Sequence, residues 1–84
     1  MQVKNIEEEI INILVELKEL EIEYLEFIQL ADGPTKEEAG NILISLEDKT
    51  DVIHYLKHKW ETKTISDLDM ILELQRMERK IDKM

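Results

Sequence analysis

Glu16-x-x-Glu19 and Asp48-x-x-Asp51 are the stretches of this 84-residue chain whose residue types and spacing could do chemistry. A separation of three puts both acids of each pair on one face of a helix. Gly33-Pro34 lies between the pairs and reads as a turn, since Pro cannot continue a helix and Gly takes conformations other residues avoid. Helices joined by a short turn run antiparallel, so residues equally far from the turn share a height. Glu16 and Asp51 are equidistant from it, and so are Glu19 and Asp48. Carboxylates crowded at one level repel unless cations or water separate them. Hard oxygen donors of this kind suit Mg²⁺ or Mn²⁺, which retain waters and also bind phosphates. The plainer reading is a solvated face. Asp and Glu number 20, and Asn5, Glu9, Asn12, Glu16, Glu19, Glu23 and Glu26 keep helical spacing along one side. Glu23 and Glu26 form an equal pair, but their symmetric partners, Ile44 and Asn41, complete no quartet.

Other constellations carry weaker chemistry. His54-x-x-x-His58 sits on one side of a helix and could offer two imidazoles to Zn²⁺ or Ni²⁺, but a third ligand would have to come from elsewhere. No His-Glu-x-x-His signature accompanies it. Exposed or interface histidines are the simpler account. Trp60 ends an apolar face and reads as a packing anchor, with base stacking as the functional alternative. Met70, Met77 and Met84 read as gap-fillers or a soft interface. There is no Gly-rich phosphate loop, and Ser45, Ser66 and His54 form no supportable triad.

The elements that must position these residues are helices. Val3, Ile6, Ile10, Ile13, Leu17, Leu20, Tyr24, Phe27 and Ala31 alternate three and four apart, which places them together only on a helix. A first helix is predicted over about 3–31. Thr35-Lys36-Glu37-Glu38 reads as a capping box opening a second helix over about 36–61, with Ala39, Ile42, Leu43, Leu46, Ile53, Leu56 and Trp60 on its main face. Ser66 or Thr64 can cap a third over about 66–82. The predicted fold is one all-α domain, an antiparallel helical hairpin plus a third helix. The first helix is apolar well beyond one stripe, through Ile11, Leu14, Val15, Ile22, Leu25 and Ile28. A surface helix normally shows an apolar arc little over 100° wide. The excess implies a small bundle completed by homo-oligomerisation, as a dimer or tetramer.

A net charge of −9 argues against direct contact with nucleic acid, which needs clustered Lys and Arg to release counterions. It leaves open phosphates bridged by divalent cations, or a basic protein partner. The chain has no Cys, which excludes a disulfide framework and thiolate metal sites and fits a reducing cytoplasm. No apolar run is long enough for a membrane span, and Glu7-Glu8-Glu9 comes too early for a secretory signal peptide. The expected location is cytoplasmic.

Glu16-x-x-Glu19, a helical turn, and then Glu47-Asp48-Lys49-Thr50-Asp51-Val52-Ile53-His54-Tyr55-Leu56 resemble the all-α nucleotide pyrophosphohydrolases, the MazG-like and phosphoribosyl-ATP pyrophosphohydrolase group. The stretch from Ile65 to Arg76 is similar to that family's closing helix, and the resemblance covers about residues 12 to 80. Val15 stands where the family has the first Glu of a double acid, and Asp48 where it has Glu. The resemblance implies hydrolysis of a nucleoside triphosphate to monophosphate and pyrophosphate, with Glu16, Glu19, Asp48 and Asp51 holding Mg²⁺ (or Mn²⁺). Glu16 or Glu19 would then orient the attacking water as general base, and the motif departures allow a degenerate relative. Lys57, Lys59 and Lys63 are near enough in sequence to meet phosphates, though solubilising lysines account for them equally. The alternative is a non-enzymatic acidic helical module, an inhibitor or adaptor that binds a basic protein partner.

Overall fold

The computed structural model describes residues 5–30 and 32–83. Its elements are three helices, α1 (Ile6–Leu30), α2 (Pro34–Glu61) and α3 (Asp67–Asp82). The fold is all-α: α1 and α2 form the antiparallel hairpin, and α3 packs against both. Val3 and Ala31, the expected ends of the first helix, lie outside the described residues. Within them the helix opens at Ile6, because Asn5 caps it: the Asn5 side-chain oxygen accepts from the Glu8 backbone N–H at 3.3 Å. Asn is a preferred N-cap, and this bond satisfies one of the helix's orphan donors.

The second helix starts at Pro34, two residues ahead of the start expected at Lys36. Gly33 is its N-cap, no side chain bonds the cap, and Pro34 occupies the first turn. The Gly33 carbonyl instead accepts from the N–H groups of Lys36 and Glu37. Pro suits that position because its ring presets φ and its missing N–H would have had no partner. Gly33 itself holds φ 65, a backbone that L side chains rarely adopt. Thr35 is thereby drawn into the helix and caps nothing. At α3 the expectation and the structure agree on Ser66, whose hydroxyl accepts from Asp69 N–H at 3.1 Å.

Between α2 and α3 the chain reverses through a Schellman-type end. Thr64 N–H reaches back to Lys59 O at 2.8 Å and Lys63 N–H to Trp60 O at 3.1 Å. That pattern requires a left-handed residue just past the helix, usually Gly; here it is Lys63, with φ 63. Trp60 bridges the same corner, donating from its indole nitrogen to Asp67 Oδ1 at 2.7 Å.

The core is one cluster: Ile6, Ile10, Ile13 and Leu17 from α1, Leu46, Ile53 and Leu56 from α2, and Met70, Leu74, Met77 and Ile81 from α3. Each fully buried side chain of this size contributes about 1.5–3 kcal/mol relative to exposure. The cluster is lopsided along the hairpin. Every large buried residue of α1 lies at or before Leu17, because α3, at 16 residues, is only ~24 Å long at 1.5 Å per residue. It runs back beside the 28-residue α2 and stops short of the Gly33-Pro34 turn. Beyond it Leu25, Phe27 and Leu30 of α1 remain exposed, Leu30 at 87%.

Candidate functional site

The sequence placed Glu16 level with Asp51 and Glu19 level with Asp48, and height is only half of the geometry. Helical rotation is the other half, at about 100° per residue. Taking buried Leu17 as the direction of the core, Glu16 and Glu19 rotate away from it by about 100° and 160°. Relative to buried Leu46, Asp48 and Asp51 turn outward by about 160° and 140°. All four are exposed. Among the described residues no group of three or more Asp, Glu or His side chains is gathered as a metal cage would require. The donor type is right for Mg²⁺, and that ion is commonly held by one or two carboxylates together with substrate phosphates and waters. The four acids supply no ready-made cage.

The structure does bring other acids to the seam. Glu21 from α1 and Glu47, Thr50 and Asp51 from α2 line one open cleft of about 170 Å³. Asp51 is the expected site residue that enters it; Glu47 opens the motif stretch but is not among the expected ligands, and Glu21 belongs to neither acid pair. The signal for Glu21 was present: it lies on the 14, 18, 21, 25 series, one flank of the core stripe, so it faces α2 where Glu19 cannot. Its side chain is 29% exposed and stands 3.9 Å from Lys18 Nζ. A partly solvated pair of this kind contributes roughly 0–1 kcal/mol.

The acidic ladder itself is open to solvent. Glu16, Glu19, Glu23 and Glu26 are exposed, and Glu9 is half-buried. Among the described residues no Lys or Arg forms an ion pair with Glu16, Glu19, Glu23 or Glu26. Lys18 is the one cation in α1, and it lies on a different side. Apolar Val15 and Ile22, both about half exposed, run beside the ladder.

The remaining candidates have ordinary surroundings. His54 and His58 are both exposed. Trp60 is packed on the core cluster and tied to Asp67. The Lys59 ammonium sits 5.2 Å from the centre of the Tyr55 ring, within cation–π range. Lys57 and Trp60 join Ile10, Ile11 and Leu14 around a second seam cleft of about 270 Å³. Among the described residues no helix is long and apolar enough to cross a membrane.

Comparison with protein-family models, curated proteins and solved structures produced no match to this chain.

Proposed function

We propose that the chain is a non-enzymatic acidic helical module, an inhibitor or adaptor that engages a basic protein surface through α1. The observation that carries this reading is the ladder Glu16, Glu19, Glu23 and Glu26, exposed and without cationic partners among the described residues. Exposed ion pairs contribute little affinity one at a time. A row of them steers encounter and excludes like-charged partners, while Val15 and Ile22 alongside supply apolar area for docking. The test is affinity capture of a protein partner by the wild-type chain and by a Glu16, Glu19, Glu23 and Glu26→Gln variant, at low and high salt. The reading expects one bound protein, lost in the variant and weakened by salt. Retention indifferent to both would overturn it.

A Mg²⁺-dependent nucleotide pyrophosphohydrolase, active or degenerate, is the second reading, and the cleft lined by Glu21, Glu47 and Asp51 favours it. Asp51 and Glu47 would hold the ion there, together with substrate phosphates. When bound, the metal neutralises phosphate charge and acidifies an attacking water. Glu16, Glu19 and Asp48 could then act only from outside that cleft. Incubation with Mg²⁺ and a nucleoside triphosphate panel, read as monophosphate and pyrophosphate, tests it. Product that disappears in Asp51→Asn supports this reading, and absence of both turnover and Mn²⁺-induced thermal stabilisation sinks it.

Under either reading the exposed apolar side chains support a homo-oligomer, and the net charge of −9 disfavours direct nucleic-acid contact.

A further inference from the structure

α1 carries two apolar stripes. The first, Ile6, Ile10, Ile13 and Leu17, is buried in the core. The second, Ile11, Val15, Ile22 and Leu25, is left outside at 45–59% exposure. It holds four of the eleven exposed large apolar side chains among the described residues. With Lys18 at its centre the stripe runs alternately four and three residues apart, which is the a/d spacing of a coiled-coil seam. It extends ~21 Å at 1.5 Å per residue. α3 lies on another side of α1, where Ile6 and Glu9 border it. Of the four, Ile11 lines a cleft shared with α2.

We propose that this stripe seats one helix of a protein partner, an amphipathic helix with apolar residues at its own a and d positions and Lys or Arg beside them. The proposal rests on the reading of α1 as the element that engages a basic surface, and it narrows that surface to a helix. In a coiled coil the residues flanking the seam decide which helices pair. Here the flanks are Glu19 and Glu26 on one side and Glu7 and Glu21 on the other, with Glu16 and Glu23 of the ladder directly behind. α1 as a whole has eight Glu and one Lys. Glu19 and Glu26 are exposed, whereas Glu21 stands 3.9 Å from Lys18. Lys57 of α2 approaches only the Ile11 end.

Charge selects the occupant. A second α1 does not fit, because parallel pairing would appose Glu21 to Glu26 and Lys18 to itself. Antiparallel pairing would set Glu19 and Glu26 against their own counterparts, and such like-charge contacts suppress pairing. Any self-association therefore uses other faces. A lipid surface does not fit either, since helices that lie on anionic membranes carry Lys and Arg beside the apolar face. A basic helix meets both requirements: it covers the apolar seam and neutralises the acids along it. Lys18, the polar residue within the seam, fixes the register.

The probe is a labelled synthetic peptide of about three heptads with Leu at a and d and Lys at e and g, titrated against the full chain by fluorescence anisotropy. Two controls share its length: the same composition in scrambled order, and the heptad peptide with Glu in place of Lys. The heptad Lys peptide is expected to bind and to gain helix content on mixing, with both controls at least about tenfold weaker. Ile22→Asp weakens that binding by about tenfold or more, with circular dichroism of the variant alone as the check on folding. Glu19→Lys combined with Glu26→Lys, at exposed positions, reverses the preference, so that the Lys peptide is lost and the Glu peptide binds. Ile44→Asp and Leu68→Asp, exposed on α2 and α3, leave binding unchanged. Equal binding of the scrambled and heptad Lys peptides overturns the seam and leaves the ladder standing as a basic-binding surface. Binding that neither Ile22→Asp nor the charge reversal alters overturns it as well. Failure of the acidic-ladder reading itself shows differently, as no binding of either Lys peptide, and the seam falls with it.

Discussion

Lys63→Gly should stabilise the protein, although it removes a side chain and adds none. Lys63 closes the α2–α3 corner at φ 63, where the Cβ of an L-residue crowds the following carbonyl at a cost of about 1–2 kcal/mol. The corner holds that conformation because Thr64 N–H and Lys63 N–H both bond carbonyls of the last helical turn, and Trp60 ties the same corner to Asp67. Glycine removes the steric cost and gives back about 0.5–1 kcal/mol through its larger loss of backbone freedom on folding. The net gain is roughly 0.5–1 kcal/mol, which for a domain of this size corresponds to a Tm increase of about 2–8 °C. Thermal unfolding followed by circular dichroism measures it directly. Lys63→Ala separates charge from backbone and should gain nothing. Lys63→Val puts a β-branched residue at positive φ and should lose stability. A Lys63→Gly variant with unchanged or lower Tm would refute the left-handed assignment and the capping pattern built on it.

Other substitutions probe separate links. Ile53→Ala, at a side chain with 0% exposure, should cost about 2–5 kcal/mol in denaturant unfolding. Against the ~4–12 kcal/mol ordinary for this length, that loss leaves the fold marginal. Ser66→Ala removes the cap on Asp69 N–H and should cost about 1 kcal/mol, seen as a lower urea midpoint with unchanged slope. Asp67→Ala leaves the Trp60 indole N–H without its 2.7 Å acceptor. The site is exposed to water, so a loss of about 0.5–1.5 kcal/mol should accompany a change in Trp emission.

Three helices, their order and the hairpin turn were legible in the sequence by itself, since period and punctuation are local properties. Ile6, Ile10, Ile13 and Leu17 were on the expected stripe and are buried in the structure. Asn5-x-x-Glu8 was a readable cap that the longer apolar pattern, extended back to Val3, obscured. Thr35 was misassigned because the capping-box letters took precedence over the Pro34 beside them, which starts a helix without a side-chain cap. The break near Thr62 was visible, but the positive φ of Lys63 was not, because no Gly or Asn marks it.

The site depended on a coordinate that one-dimensional spacing carries poorly. Distance from the turn sets height along the hairpin, and on that count Glu16, Glu19, Asp48 and Asp51 matched. Which side a residue presents depends on its rotation about the helix relative to the faces that pack, and that is decided when the helices choose their common interface. The core took Leu17 and Leu46 inward, so Glu16, Glu19 and Asp48 went outward, and Glu21 came to Glu47 and Asp51 instead. Composition and periodicity thus determined the helices, the acidic ladder and the charge on it. Only the tertiary structure decided which acids face one another and which side of the hairpin α3 leaves uncovered, because both follow from a packing choice that non-local contacts make.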